Sequence, residues 1–289
     1  MCSHDHVEIR PIVEASLGQI GQFLHANLNR RVSAAQWASI ARPPWSIAAP
    51  NHGFMLVAGA RIVGVYLAFY SKRVIDDEIY PICNLAAWSV LEDFRAQGLR
   101  LLRAILSQKG YHFTDLSPSG NVVPLNIRLG FRVLDTAATL VPNFLCPLWL
   151  RSARVIAEPL ELERLLEGCE LEIYKDHVNA KAVRHLLLIR GSETCYVIFR
   201  KDRRKNLPLF ASILYVGNIK LFESASHHVY RYILMHYGIP FTIAELRIVG
   251  HKPRFSTFLR KPRPKMYKGE LLRPDQIDYL YSELTCVEW

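Results

Sequence analysis

The sequence WSVLEDFRAQGLRLL, which spans Trp88 to Leu102, carries the strongest fold signal in this chain of 289 residues. An apolar strand runs into a short turn that contains Arg95, Gln97 and Gly98, and an amphipathic helix follows. We expect backbone N–H groups of the turn and the positive end of the helix dipole to point to one place. This arrangement predicts an anion-binding site.

A second motif, NIRLGF at residues 126–131, completes the pattern. Together the two motifs resemble the GNAT superfamily of acyl-CoA N-acyltransferases, whose phosphate-binding turn reads Gln/Arg-x-x-Gly-x-Gly/Ala after a strand that carries Val. Val90, Arg95 and Gly98 match that turn, and Leu129–Phe131 matches the family's Leu-Gly-Phe at the end of a helix. The resemblance implies a mixed α/β fold of the acyl-CoA N-acyltransferase type that binds acetyl-CoA or another acyl-CoA.

The resemblance also places the acyl-CoA. Amides from about Gln97 to Leu102 would surround the diphosphate, and Gly98 would let it approach the backbone closely. The strand before the turn would bind the pantetheine amides as though they belonged to another strand. The family has a small residue at position 100, so Arg100 either crowds the diphosphate or, as we favour, turns outward to bond a phosphate oxygen. The predicted cofactor-binding residues are Trp88, Val90, Arg95, Ala96, Gln97, Gly98, Leu99, Arg100 and Leu101.

Acyl transfer requires an amine to lose a proton and the CoA thiolate to gain one. The family's usual base and acid positions correspond to Asn84 and Asn126, whose amide groups do not titrate. The candidate catalytic residues are therefore Asn84 as the holder of a water, Asn126, and Glu78 or Asp76 as a substitute base. Three explanations stay open: catalysis without the usual base, acyl-CoA binding without turnover, and two decayed copies that support a partner.

The order of predicted elements indicates two tandem domains. Residues 1–150 predict a GNAT-like acyl-CoA-binding domain of mixed α/β structure, with a single strand over residues 131–140. Residues 151–289 repeat three strands, a helix and a strand, which predicts a second, degenerate copy. This half has Gly217–Lys220 where the phosphate turn is expected, so we do not expect it to hold the nucleotide. The tail, residues 270–289, predicts a packed helix.

Composition indicates a soluble globular protein, because half of the residues are apolar and 21% are charged. The sequence has no long uninterrupted apolar run and no secretory signal at its start, so we predict a cytoplasmic protein without a membrane span. The six cysteines show no Cys-x-x-Cys spacing, and neither disulfides nor a metal site are expected. The oligomeric state stays open.

The formal charge of +10 is uneven, with +3 in residues 1–150 and +7 in residues 151–289. Basic residues and aromatic rings alternate in Lys252–Lys268, where three prolines predict an irregular surface loop. The leading function is transfer of an acyl group, acetyl first, from acyl-CoA to an amine of a small molecule, an amino sugar or a peptide. The basic second half of the chain would favour an acceptor that carries an acidic group. The alternative is a non-catalytic basic module that binds nucleic acid or an acidic partner, although we favour a solvated loop for Lys252–Lys268 and do not expect nucleic acid as a partner.

Overall fold

In the computed structural model, which describes residues 6–45, 47–76, 78–144, 153–204 and 207–288, the chain forms two mixed sheets with helices. This confirms the predicted α/β class. The strands are β1 (Val7–Pro11), β2 (Gly53–Ala58), β3 (Arg61–Ile75), β4 (Glu78–Val90), β5 (His112–Asp115), β6 (Arg132–Val133), β7 (Ala138–Pro142), β8 (Arg154–Ile156), β9 (Val183–Arg190), β10 (Glu193–Arg204), β11 (Leu207–Val216), β12 (Phe241–Glu245), β13 (Thr257–Phe258) and β14 (Met266–Lys268). The helices are α1 (Leu17–Asn27), α2 (Ala34–Ile40), α3 (Gly98–Leu106), α4 (Val122–Arg128), α5 (Pro159–Leu165), α6 (Gly168–His177), α7 (Ile219–Tyr237), α8 (Leu246–Val249) and α9 (Glu283–Cys286). Short 3₁₀ helices cover Glu14–Ser16, Glu92–Gln97 and Pro274–Gln276.

Contacts between residues divide the chain into two compact units, and neither is one continuous stretch. Unit 1 consists of Met1–Leu134, Lys265–Leu272 and Tyr281–Glu283, and unit 2 of Asp135–Pro264, Arg273–Leu280 and Leu284–Trp289. The boundary that the sequence predicts, between residues 150 and 151, lies outside the described residues.

Unit 1 contains the sheet β1-β2-β3-β4-β5-β14-β6, in which only β4 and β5 run parallel. Helix α3 lies against it because Leu101, Leu102 and Ile105 fall on one helical face. Each is buried in the same apolar cluster as Leu56 and Val63 of the sheet. Burial of one such side chain contributes about 1.5–3 kcal/mol.

Unit 2 contains the sheet β8-β9-β10-β11-β12-β7-β13. Its neighbours pair in the same directions as those of unit 1, strand for strand, with β11 and β12 as the parallel pair. The sixth strand of each sheet, counted in the orders given above, is β14 in unit 1 and β7 in unit 2. The two units therefore share one sheet topology.

Two strands replace the single strand predicted over residues 131–140, so that prediction is wrong. β6 belongs to the sheet of unit 1 and β7 to the sheet of unit 2. Between them Asp135 Oδ1 accepts the Ala137 N–H at 2.9 Å, an Asx turn that interrupts the extended backbone.

The basic segment Lys252–Lys268 is only partly the irregular surface loop that its prolines predict, because most of residues 252–264 lie outside helices and strands and are exposed, whereas its end is buried. It contains β13 and β14, and Lys265, Met266 and Tyr267 are buried. Lys268 Nζ donates to the carbonyl of Leu129 at 2.7 Å. Part of the positive charge thus belongs to a sheet rather than to an open surface.

The tail is not the single helix predicted over residues 270–289. It holds only the 3₁₀ helix Pro274–Gln276 and the short α9 among the described residues. Pro274 lacks an N–H group, and Tyr281 has a positive φ of 55°, so a continuous helix is not possible. Most side chains between Ile277 and Val287 are nevertheless buried.

Among the described residues, no helix combines the length and the apolar character that a membrane crossing requires. The described part of the chain also has no group of three or more His, Cys, Asp or Glu side chains placed to hold a metal ion.

Candidate active site

Strands β4 and β5 separate after Asn84. Their parallel pairs are Ile82 with His112, Cys83 with Phe113 and Asn84 with Thr114. β5 ends at Asp115, whereas β4 continues to Val90 with β3 on its other side. In the pairing of the described residues, the β5 side of residues 85–90 is open, and such an edge accepts an extended ligand.

A bulge lies in the open part of β4. Val65 of β3 pairs with Ser89, but Leu67 pairs with Ala86, so β4 has one extra residue opposite Tyr66. Ala87 has a φ of 52° there, which costs a residue with a Cβ about 1–2 kcal/mol. Bulges redirect the backbone, and backbone strain of this kind is concentrated at functional sites.

The predicted phosphate turn is helical. Arg95, Ala96 and Gln97 lie in the 3₁₀ helix Glu92–Gln97, and the N–H of Gly98 donates to the carbonyl of Arg95. In this conformation the Gly98 amide is therefore engaged within the chain, and diphosphate binding by this turn stays a prediction. A Cβ on Gly98 would lie 3.4 Å from Val90 Cγ2 and 3.5 Å from the Trp88 ring, so the glycine packs on β4.

The two arginines of the turn have different surroundings. Arg95 is exposed and lies 3.4 Å from the Glu92 carboxylate. Arg100 Nη1 donates to the carbonyl of Val7 at 3.0 Å and to Gln97 Oε1 at 2.9 Å. In this structure the Arg100 guanidinium is therefore hydrogen-bonded to Val7 and Gln97, whereas the sequence predicts that it bonds a phosphate oxygen.

The remaining predicted cofactor residues are apolar. The Trp88 ring stacks on Tyr66 with 4.6 Å between centroids, and Trp88 Nε1 has no hydrogen-bond partner among the described residues. Leu101 is buried in the core of unit 1, and Leu99 and Val90 pack against it. Leu101 therefore acts through its backbone if it contacts a ligand.

Both candidate asparagines contact a buried carboxylate. Asn84 Nδ2 donates to Glu283 Oε2 at 2.5 Å, and Asn126 Nδ2 donates to Asp115 Oδ2 at 2.8 Å. All four side chains are buried, and Asp115 has the largest exposed fraction at 4%. The titratable groups that are missing at the family's usual positions thus lie next to those positions.

Further hydrogen bonds extend this cluster. Thr114 Oγ1 donates to Asn84 Oδ1 at 2.9 Å, and Ser117 Oγ donates to Glu283 Oε1 at 2.5 Å. Ser117 is exposed, whereas Glu283 is fully buried. The cluster therefore connects a surface hydroxyl with a carboxylate inside unit 1.

Burial, and after it the charge of Glu283, raises the pKa of Asp115 from 3.8 to about 7, although hydrogen bonds from Asn126 and from the Ser117 backbone oppose the change. The pKa of Tyr66 is also raised, first by burial and then by Asp115 and Glu283. A carboxyl group with a pKa near neutrality is suited to accept and return protons.

Solved structures with this arrangement of helices and strands include GCN5-related N-acetyltransferases. The enzyme from Anabaena variabilis has a TM-score of 0.59 at 12% identity, over 91% of this chain and 72% of that chain. The one from Kribbella flavida has a TM-score of 0.54 at 12% identity, over 91% and 71%. The chain has the GCN5-related N-acetyltransferase fold. Saccharomyces cerevisiae N-myristoyltransferase, solved with bound myristoyl-CoA, has a TM-score of 0.51 at 9% identity, over 100% and 86%.

At these identities the likeness to N-acetyltransferases establishes the fold and leaves the activity to other evidence. No family model matches the sequence, and no curated protein matches it at a significant level.

Two of the predicted catalytic residues, Glu78 and Asp76, are exposed near the start of β4 and do not belong to the buried cluster around Asn84 and Glu283. Glu78 accepts a hydrogen bond from the Tyr80 hydroxyl at 2.9 Å. Sequence reasoning missed Asp115, although an acidic residue at the end of an apolar strand was a usable signal. It also missed Glu283, which has no local signal because it meets Asn84 from 199 positions away.

Proposed function

We propose that this chain transfers an acyl group, with acetyl as the first candidate, from an acyl-CoA to an amine of a small molecule, an amino sugar or a peptide. The observation that carries the proposal is the separation of β4 from β5 beside buried carboxylates. The N-acetyltransferase fold supports it, as does the myristoyl-CoA bound to the yeast neighbour.

In this proposal the pantetheine arm lies along the open side of residues 85–90, next to Trp88 and Val90. The phosphates bind at the start of α3, near Arg95 and the backbone from Ala96 to Leu101. Binding to the Gly98 amide requires that its bond to the Arg95 carbonyl opens first. Arg95 is suited to the first contact because its side chain is 72% exposed.

We also propose that unit 2 is a second copy of the fold and that only unit 1 binds acyl-CoA. The shared strand order and pairing directions support the first part. The acceptor is expected to be an amine with an acidic group, because the chain carries a formal charge of +10.

Calorimetric titration with acetyl-CoA and longer acyl-CoAs tests donor binding, and thiol release in the presence of an amine panel tests transfer. We expect saturable heat with at least one acyl-CoA and thiol release that depends on the amine. Arg95→Ala is expected to weaken binding about tenfold, as is typical for a lost charge-assisted hydrogen bond. Arg61→Ala, which replaces an exposed arginine at the start of β3, serves as the control. The absence of heat with every acyl-CoA would remove the proposal.

A further inference from the structure

The Ser117–Glu283 pair joins the surface of unit 1 to its buried cluster. Ser117 Oγ donates to Glu283 Oε1 at 2.5 Å, and an exposed serine that donates its own proton inward keeps lone pairs for a proton from outside. Glu283 is fully buried, so a small acceptor amine can reach it through Ser117 rather than directly.

The pair lies next to the separation of β4 and β5. Asn84, which holds the second oxygen of Glu283, is the last residue of β4 that pairs with β5. Ser117 follows the end of β5 at Asp115 by two positions. If the pantetheine arm follows residues 85–90, its thioester end comes close to Asn84, where the amine must lose its proton.

We propose that Ser117 and Glu283 form a proton relay for the incoming amine, an inference that rests on the acyl transfer proposed above. As the amine nitrogen bonds to the thioester carbonyl carbon, its proton passes to Ser117 Oγ, and the Ser117 hydroxyl proton passes to Glu283 Oε1. The C–S bond then breaks, its electron pair leaves with sulfur, and the proton returns by the same route to the thiolate. Amine and thioester become amide and thiol, and the protein regains its starting protonation state.

Two polar residues orient Glu283 for this role. Asn84 Nδ2 binds Oε2, which leaves Oε1 directed at Ser117, and Thr114 Oγ1 fixes the Asn84 amide in turn. Asn84 and Thr114 are thus positioning residues. The relay explains how the chain manages with asparagine at the usual base position, because the carboxylate comes from the tail instead of from β4.

The titratable groups coupled to Glu283 include Asp115 of β5 and Tyr66 of β3, because the charge of Glu283 raises the pKa of each. Both are buried, and the pKa of Tyr66 is raised, so Tyr66 stays neutral. A negative charge on Asp115 disfavours the ionised form of Glu283 and makes it a stronger proton acceptor. Asn126 holds Asp115 in place at 2.8 Å.

The test uses the full chain with the acyl-CoA and amine that give turnover. Glu283→Gln is expected to lower kcat by about 100-fold or more, and Ser117→Ala by about tenfold or more, because general-base catalysis contributes at least that much. The Kd for acyl-CoA should change less than about twofold, since the relay does not bind the donor. Glu288→Gln and Ser119→Ala, both exposed neighbours, are the matched controls.

The pH profile of kcat separates the relay from a merely structural effect. The wild type should show an ionisation at its acid limb that Glu283→Asp keeps and Glu283→Gln removes. If Glu283→Gln fails to fold, Ser117→Ala and Glu283→Asp decide by the same readouts. Variants that bind acyl-CoA and keep both wild-type kcat and the acid limb overturn the relay and leave acyl transfer standing. A wild-type chain that binds no acyl-CoA overturns both.

Discussion

Units 1 and 2 share a sheet topology but differ where the parallel-paired strand meets the next helix. In unit 1, Gly98 begins α3 against Trp88 and Val90 of β4. In unit 2, a Cβ on Gly217 would lie 1.7 Å from Glu170 Oε1, so a carboxylate fills that place. Burial raises the pKa of Glu170. A phosphate would have to displace this carboxylate, and so the difference supports donor binding in unit 1 alone.

The units also differ where their parallel strands separate. The last parallel pair is Asn84 with Thr114 in unit 1 and Ser212 with Ile243 in unit 2. Ser212 Oγ donates to Asp202 Oδ2 at 3.0 Å, and Arg263 lies 3.5 Å from that carboxylate. In unit 1, the amides of Asn84 and Asn126 donate to the carboxylates of Glu283 and Asp115. The same strand order thus accompanies an ion pair in unit 2 and a buried carboxyl group with a raised pKa, Asp115, in unit 1.

The largest expected effect concerns Asp115. Its pKa of about 7 in the folded chain exceeds the ordinary 3.8, so the folded state binds more protons than the unfolded state. The stability that the Asp115 carboxyl group contributes is fully present below about pH 4, and it is lost as pH rises through about 7. Asp115→Asn removes that loss and is expected to raise the free energy of unfolding at about pH 8 by up to about 4 kcal/mol. Urea unfolding at about pH 5 and about pH 8 measures it.

Asp202→Asn sharpens the comparison because it takes away the partner of Arg263. We expect it to destabilise the chain at about pH 8, the opposite sign to Asp115→Asn. If both substitutions change the free energy of unfolding by the same small amount, the buried carboxylates Asp115 and Asp202 do not differ in their effect on stability.

The bulges in β4 and β11 give the second prediction. β11 also carries one extra residue, opposite Ile198 and Phe199 of β10, but residues 213–215 are not among the described residues with positive φ. Of these two bulges, only the one in β4 contains a described residue other than glycine with a positive φ, Ala87. Ala87→Val should therefore cost about 2 kcal/mol, and Ala87→Gly should gain up to about 1 kcal/mol.

Thermal unfolding of the Ala87 variants measures these changes, and Ala86→Gly is the matched control. Ala86 has no positive φ, so its replacement by glycine is expected to cost about 1 kcal/mol. Loss of stability in both glycine variants would show that Ala87 is not strained.

The sequence predicts well those features that depend on neighbouring residues. Apolar periodicity and glycines at positive φ predict the hairpin of β2 and β3, the strand before Gly98 and the helix that ends at Arg128. The helical form of residues 92–97 differs from the turn that the family motif predicts.

Features that depend on distant parts of the chain were out of reach. β14 pairs with β5 across about 150 residues, and no pattern in residues 266–268 indicates that partner. Glu283 lies in a tail whose apolar residues predict a helix, yet its carboxylate reaches Asn84. The sequence therefore located the asparagines of the site but not the carboxylates beside them.

The smallest expected effect concerns two arginines, one in each unit, that tie a helix to a strand. Arg100 of α3 donates to the Val7 carbonyl of β1, and Arg190 of β9 donates to Ser224 Oγ of α7 at 2.9 Å. If Arg100 has the same supporting role as Arg190, each alanine variant should lose about 1 kcal/mol of stability.

Calorimetric titration with acyl-CoA then distinguishes support from phosphate binding. Arg100→Ala should leave the Kd within about twofold of the wild type, because its donors are already engaged by Val7 and Gln97. A tenfold weaker Kd for Arg100→Ala, with Arg190→Ala unchanged, would mean that Arg100 leaves β1 to bond a phosphate oxygen. In that case the start of α3 rearranges when the donor binds, and the helical turn at residues 92–97 is the unliganded form of the site.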